Sequence, residues 1–199
     1  MIMKIKRIID LCKKSGSCTL CQQGELQWIS DGYSMYPMFE LPTFDQISLF
    51  NTYDFTEKQK DKIIYRHENH MPEEICFDDI STEETMAEPL RIWIQTGDRE
   101  LIPYKTTEGI KFVDSRYLDP LRDSDQGYLE LYERHNKNGI YFAAKIGMIL
   151  SGIILPYDAI SKEFVDDIRL IAQQCEIALF NKQGFGKDEK DEIENTSSI

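Results

Sequence analysis

The sequence predicts an α+β fold: one pseudo-symmetric domain of two helix-plus-three-strand repeats, carrying an acidic insertion and followed by a C-terminal helix. Three observations lead there. A helix-like segment followed by three strand-like runs that end at a proline occurs twice, over Met3–Pro37 and Asp114–Pro156, and a repeated supersecondary unit constrains a whole fold. Beyond Pro156 the apolar residues recur at spacings of three and four, the period of a helix. The length of 199 residues and 41% hydrophobic content suit one ordinary domain with an insertion.

The first repeat opens with the basic stretch MKIKRIIDLCKK. At ~100° per residue, Ile2, Ile5, Ile8, Ile9 and Cys12 share one face, while Lys4, Lys6, Arg7, Lys13 and Lys14 spread around the other against a single acid, Asp10. The strand-like runs SCTLC, ELQWIS and YSMYPM follow, separated by the turn formers QQG and DG. Leu41-Pro42 ends the unit, and Phe44 to Phe50 is a short apolar-rich segment. Residues 51–89 then read as the insertion. Thr56 is placed to N-cap a charged helix reaching Tyr65. Residues 67–90 contain no Lys or Arg but eight acids, from Glu68 to Glu88. Low hydrophobicity with high charge favours a solvated loop; partner docking or mimicry of DNA is the functional alternative.

Regular pattern returns with LRIWIQ, in which Leu90, Ile92 and Ile94 alternate against Arg91, Trp93 and Gln95, and the TGDR turn leads on to ELIPYK. This hairpin feeds the second repeat. There IKFVDSRYLDPL reads as a strand leading into a short helix, YLELYER and IYFAAKI flank the HNKNG turn, and GMILSGIILP closes the unit. Proline in a helix interior removes a backbone hydrogen bond and clashes with the preceding turn, so Pro120 breaks or shortens the second helix. Residues 158–183 hold a further helix, roughly Ser161 to Lys182, whose stripe is Phe164, Ile168, Ile171, Cys175 and Ala178. Two uses are open to that stripe: packing against the chain's own sheet, or a homo-oligomer contact through Phe164, Ile168 and Ile171. Residues 184–199 are expected to be a mobile acidic tail.

The second repeat, on IKFVDSRYLDPL, the hairpin YLELYERHNKNGIYFAAKI and the closing ILSGIILP, resembles one repeat of the DNA sliding-clamp family. The resemblance covers about residues 1–50 and 90–157 and is one of order and pattern; Pro120 departs from it. It associates the chain with uncharacterised clamp-like proteins of phages and mobile elements. In that family each domain holds two such units, with helices facing DNA and sheets facing out. The resemblance therefore implies a sliding-clamp-like domain over residues 1–157. Its DNA-facing set would be Lys4, Lys6, Arg7, Lys13 and Lys14 from the first helix with Arg116 and Arg122 from the second, contacting phosphates without reading sequence.

Charge and cysteine usage bound the function further. A net charge of -12 argues against a protein that coats DNA uniformly, because phosphate binding rests on Lys and Arg. The longest nearly uncharged run, Ile146 to Tyr157, is far short of the ~20 residues that cross a bilayer, so no membrane partner is expected and the reading is cytoplasmic. Five cysteines without secretory context predict free thiols and no disulfide.

Catalytic patterns are weak. Cys18 and Cys21 have zinc-knuckle spacing and His67 and His70 offer two imidazoles, but strand alternation points the cysteines to opposite faces and the gap between the pairs fits no compact zinc module. No metal or other cofactor is expected. His135 falls in an Asn- and Gly-rich turn, and Gly184 and Gly186 do not make a phosphate loop. Gln46-Ile-Ser-Leu49-Phe50 resembles the pentapeptide by which bacterial replication and repair proteins dock on a sliding clamp. Exposure decides between that role and a core segment, since Leu49 and Phe50 cannot fill another protein's pocket from within this one. The function expected is a non-catalytic, DNA-associated or replication-related docking protein of a phage or mobile element. The alternative is an acidic protein that binds a host replication or defence component without touching DNA.

Overall fold

The computed structural model describes residues 4–122 and 128–195, with side chains on the last helix as far as Lys182; Ile2 lies outside this range. Among the described residues the fold is α+β, with four α-helices and an eleven-stranded sheet. Packing divides the chain into a unit ending at Tyr157 and one beginning at Asp158.

The first repeat forms as its pattern requires. Helix α1 (Ile5–Ser15) buries Ile8, Ile9, Leu11 and Cys12. It ends at Gly16, whose left-handed φ of 72° lets its N–H donate to the Cys12 carbonyl at 3.0 Å. Strands β1 (Ser17–Gln23), β2 (Leu26–Ser30) and β3 (Ser34–Pro37) then run as an antiparallel meander. In the second repeat the helix shrinks to a 3-10 turn, Ser115–Tyr117, N-capped by Asp114. The Leu121 and Arg122 N–H groups still bond back to the Leu118 carbonyl across Pro120. A second meander follows: β9 (Leu129–Asn136), β10 (Gly139–Ile146) and β11 (Ile149–Ile154). His135 belongs to β9 rather than to the turn after it.

The two meanders meet where β11 pairs antiparallel with β3, at Ile153 opposite Met35 and Ile154 opposite Ser34. This seam is close. A Cβ on Gly152 would meet the Tyr36 ring at 3.0 Å, so glycine is what lets that ring lie against the strand. From there the Tyr36 hydroxyl donates to the Tyr117 carbonyl at 2.6 Å, tying the first repeat to the turn of the second.

Adjacent strand residues point to opposite faces and both faces are covered, which explains the continuous apolar runs. Leu20, Ile29, Tyr36, Phe142 and Ile154 face α1 and the residues around Tyr117 and Leu118. Their neighbours Cys21, Trp28, Met35, Tyr141 and Ile153 face the other way into a second cluster.

The insertion departs from its expected form. Helix α2 (Gln46–Thr52) is capped by Asp45, and Thr56 does cap a helix, but α3 (Glu57–Lys60) lasts one turn. Strand β4 (Ile64–Glu68) then runs parallel to β1 at the sheet edge, where Tyr65 packs its ring on Phe50. The acidic stretch ends in a strand as well: β5 (Thr85–Pro89) pairs with β9. Strands β6 (Ile94–Thr96) and β7 (Arg99–Thr106) pair across the expected turn, but β6 is only three residues long. Leu90–Trp93, expected as the alternating start of that strand, are not in a strand and leave Leu90, Ile92 and Trp93 exposed, while β8 (Gly109–Asp114) pairs with β7. Residues 51–89 thus extend the sheet at two places instead of standing apart as helix and loop. In the other unit, α4 (Lys162–Asn195) continues past the expected end near 183 into the region read as a tail; residues 196–199 lie outside the described range.

Candidate nucleic-acid interface

Helix α1 lies alongside residues 115–122, running the opposite way. At one end the Lys4 N–H donates to the Pro120 carbonyl at 3.3 Å and Arg7 Nη1 donates to the Asp119 carbonyl at 3.0 Å. At the other end Lys14 and Arg116 line one small cavity of about 80 Å³, together with Asp31, Tyr33, Arg99 and Tyr117. The predicted cations of both repeats therefore gather on one side of the sheet.

Their availability differs. Lys6 and Lys14 are exposed with no ion-pair partner among the described residues. Arg7 and Arg122 are about half exposed, each 3.9 Å from Asp119, a weak surface pairing. Lys4 is held by a bond from Nζ to the Arg122 carbonyl, and Lys13 by one to the Tyr53 carbonyl with its ammonium over the Phe55 ring.

Arg116 is corrected. Its Nε and Nη2 donate to Asp114 at 3.0 and 2.6 Å, and Nη1 reaches Asp98 at 3.4 Å. Asp114 is fully buried, and this hydrogen bonding raises the guanidinium's affinity for its proton although burial opposes it. A buried carboxylate needs such a partner. Arg116 is accordingly a structural cation and leaves the set free to meet phosphate. The sequence reading missed Arg99, 3.6 Å from the same carboxylate and stacked over Tyr157 at 4.7 Å. Its place in the TGDR turn gave no signal of this. Burial pushes the Tyr117 hydroxyl in this cavity well up, and Asp31 and Asp114 add to the effect.

The clamp-docking pentapeptide is also corrected. Gln46 is exposed, but Leu49 and Phe50 are buried on α2, with Phe50 stacked on Phe55 at 4.4 Å. The segment is core. The cysteine and histidine pairs lie on or beside neighbouring strands, with Leu20 opposite His67 and Cys21 opposite Glu68. Yet Cys18 and Cys21 enter different core clusters, and no group of metal-ligating side chains forms among the described residues. The five cysteines are free. The Cys12 thiol is pushed up by its hydrogen bond with Cys18, by burial and by nearby negative charge, the opposite of an activated nucleophile.

On the far side of the sheet the acidic segment is fastened down. Met71, Ile75 and Phe77 pack over the second cluster, with the Phe77 ring edge-on to Trp28 at 5.0 Å. Arg134, with a side chain only 2% exposed, donates through Nε and Nη2 to Glu84 at 2.9 and 2.6 Å. Its Nη1 reaches the Cys76 carbonyl and its Nη2 the Asp78 carbonyl, both at 2.9 Å. Lys145, also buried, bonds the other Glu84 oxygen and lies over the Tyr132 ring at 4.5 Å. Burial pushes the Glu84 carboxyl up, but the hydrogen bonds and charges of Lys145 and Arg134 outweigh it and hold the group below its usual range. The sequence signal for this cluster was a basic residue in each of two strand-like runs, Arg134 at the end of YLELYER and Lys145 within the apolar IYFAAKI.

A cavity of about 240 Å³ opens between this segment and the sheet, lined by Cys21, Met35, Pro72, Ile75, Ile153 and Leu155 among others. No described helix is long and apolar enough to cross a membrane. No protein-family model, curated protein or solved structure matches the chain.

Proposed function

We propose that the 1–157 unit is a non-catalytic DNA-associated or replication-related docking protein of a phage or mobile element, using a sliding-clamp-like arrangement of its two repeats. The observation that supports this reading is the pairing of α1 with the 115–122 turn on one face of a sheet made continuous by the β3–β11 seam. That face carries Lys6, Arg7, Lys14 and Arg122 at its surface within a chain of net charge -12. Cations concentrated there serve phosphate contact, which positions a protein on a duplex without sequence preference. About four such contacts give a log–log salt slope near -3 to -4. Duplex binding measured across a salt series is expected to show that slope. Replacing the four residues with Gln should weaken binding about equally on unrelated sequences. Absence of binding at low ionic strength by the folded protein would remove DNA from the proposal.

One observation favours a second reading, an acidic protein that binds a replication or defence component without DNA. The acidic segment is held in one shape by Arg134 and Lys145, beside an apolar cavity, and so presents a fixed surface to a protein partner.

A further inference from the structure

Two arginines address one buried acid beside the last turn of α1, and one of them suffices. The Asp114 carboxylate accepts from the Arg116 backbone N–H at 3.1 Å and from its Nε and Nη2 at 3.0 and 2.6 Å. Arg99 stands 3.6 Å from that carboxylate, beyond hydrogen-bond reach, with its guanidinium fixed over the Tyr157 ring. Its five N–H donors make no hydrogen bond among the described residues. The same holds for two further donors that line this cavity of about 80 Å³, the Lys14 ammonium and the Tyr117 hydroxyl. Tyr117 is only 7% exposed, and burial together with the Asp31 and Asp114 charges keeps its hydroxyl protonated. Polar groups held out of bulk water call for partners, and three donors converge here on one space. The one acid lining the cavity is already engaged: Asp31 Oδ1 accepts from the Tyr33 N–H, the Ser34 N–H and the Ser34 hydroxyl at 3.0, 2.8 and 2.9 Å. Asp98 stands in solvent. Lys14, Arg99 and Arg116 therefore outnumber Asp31 and Asp114, which leaves the cavity positive.

We propose that this cavity binds the phosphate group of a nucleotide, free or at the end of a nucleic-acid strand, with the base stacked on Tyr33. Size selects the group: at about 30 Å³ per water the space holds two or three waters, which is room for one phosphate and too little for the sugar and base. Arg99 offers the planar fork that pairs two phosphate oxygens, leaving the others to Lys14 and the Tyr117 hydroxyl. Tyr33 lines the same cavity and is 58% exposed, with its ring stacked on Tyr117 at 6.4 Å. Its backbone is pinned on both sides, the N–H donating to Asp31 and the carbonyl accepting from the Leu155 N–H at 2.9 Å. An exposed ring fixed beside a phosphate site is a platform on which any base stacks. Arg99, Tyr117 and Tyr33 lie outside the set proposed to meet duplex DNA, so the inference does not rest on that reading.

Calorimetry of the full chain at low ionic strength is expected to show adenosine 5′-monophosphate binding about tenfold more tightly than inorganic phosphate, with adenosine weaker than either. Arg99→Gln should weaken the monophosphate by about tenfold, and Tyr33→Leu should reduce it to the affinity of phosphate. Lys14→Gln, an exposed change that leaves the core untouched, should weaken it by about threefold and decides the matter if thermal melting shows Arg99→Gln to be unfolded. Single strands carrying a 5′-phosphate or a 5′-hydroxyl separate the two sources. A preference for the phosphorylated strand places the site at a strand end, whereas monophosphate binding without that preference assigns it to a free nucleotide. Equal binding of adenosine and its monophosphate overturns the proposal, as does undiminished binding by the folded cation variants or no binding of monophosphate and phosphorylated strand alike. A duplex with 5′-hydroxyl ends tests the α1 face alone, so each reading fails or stands by itself.

Discussion

On the α1 side of the sheet the cover is helical and its cations stand at the rim, whereas on the other side an irregular acidic segment lies over Trp28 and Tyr141 with its cations, Arg134 and Lys145, beneath it. The difference follows from backbone hydrogen bonding. A helix satisfies its own interior N–H and C=O groups and needs only an apolar stripe to pack, so Lys6 and Lys14 of α1 stay free for other use. A segment without regular structure must find partners for its buried backbone elsewhere. The sheet supplies them: Arg134 serves the Cys76 and Asp78 carbonyls and the Tyr141 hydroxyl accepts from the Cys76 N–H at 3.0 Å, while in return the Asp79 carboxylate accepts from the Leu150 N–H of the sheet at 2.8 Å. Cations of one type thus do two jobs according to what lies over them.

The largest effect expected from this contrast is that of Arg134→Ala. Removing one member of a buried charge cluster strands the rest, at a cost of about 3–5 kcal/mol, with the lower end expected because Lys145 still meets Glu84. Chemical denaturation should show the loss, and hydrogen exchange should place the loosening at residues 76–84. An Arg134→Ala protein of wild-type stability would mean that the segment is held by its apolar contacts alone, and the contrast between the two faces would fail.

A smaller effect comes with acid. The Glu84 carboxyl is held below its ordinary value of 4.5 in the folded chain. A depressed acid contributes stability that is full above its unfolded value and is lost as pH falls through the folded one. The acidic segment should therefore hold down to about pH 4 and loosen below it. The difference in denaturation midpoint between wild type and Glu84→Gln, followed from neutral pH into acid, isolates this group. That difference should shrink as pH falls; a constant difference would assign the acid limb to other carboxylates.

How much of this was legible depended on whether a signal was local. The strands of both repeats were readable because apolar runs between glycine turns determine strands almost alone, and Pro120 announced the shortened second helix. Ile64–Glu68 was not readable as a strand. Its charged sequence IYRHE suits an exposed sheet edge, and only the parallel pairing with β1 makes it one. The acidic stretch read as a solvated loop because composition cannot reveal that an arginine some 50 residues later lies beneath it. The basic face was legible as residue types, yet the loss of Arg116 to Asp114 was not, because a buried aspartate looks the same in sequence as an exposed one. The pentapeptide at Gln46 carried the same ambiguity, and burial resolved it.

The smallest expected effect completes the contrast. Lys6 and Lys14 are exposed and lack ion-pair partners among the described residues, so Lys6→Gln should change stability by no more than about 0.5 kcal/mol. Lys14 sits in the last turn of α1, where a cation offsets the helix dipole, and Lys14→Gln should lose about 0.3–1 kcal/mol. Both values lie well under that for Arg134→Ala. Retention on DNA at low salt should move the other way: each lysine change should lower it and flatten the log–log salt slope by about one. An Arg134→Ala protein kept folded at low temperature should retain the wild-type slope. If the lysine variants lost stability as steeply as Arg134→Ala while DNA retention held, the α1 cations would be structural too, and the face they occupy would need no nucleic acid to explain it.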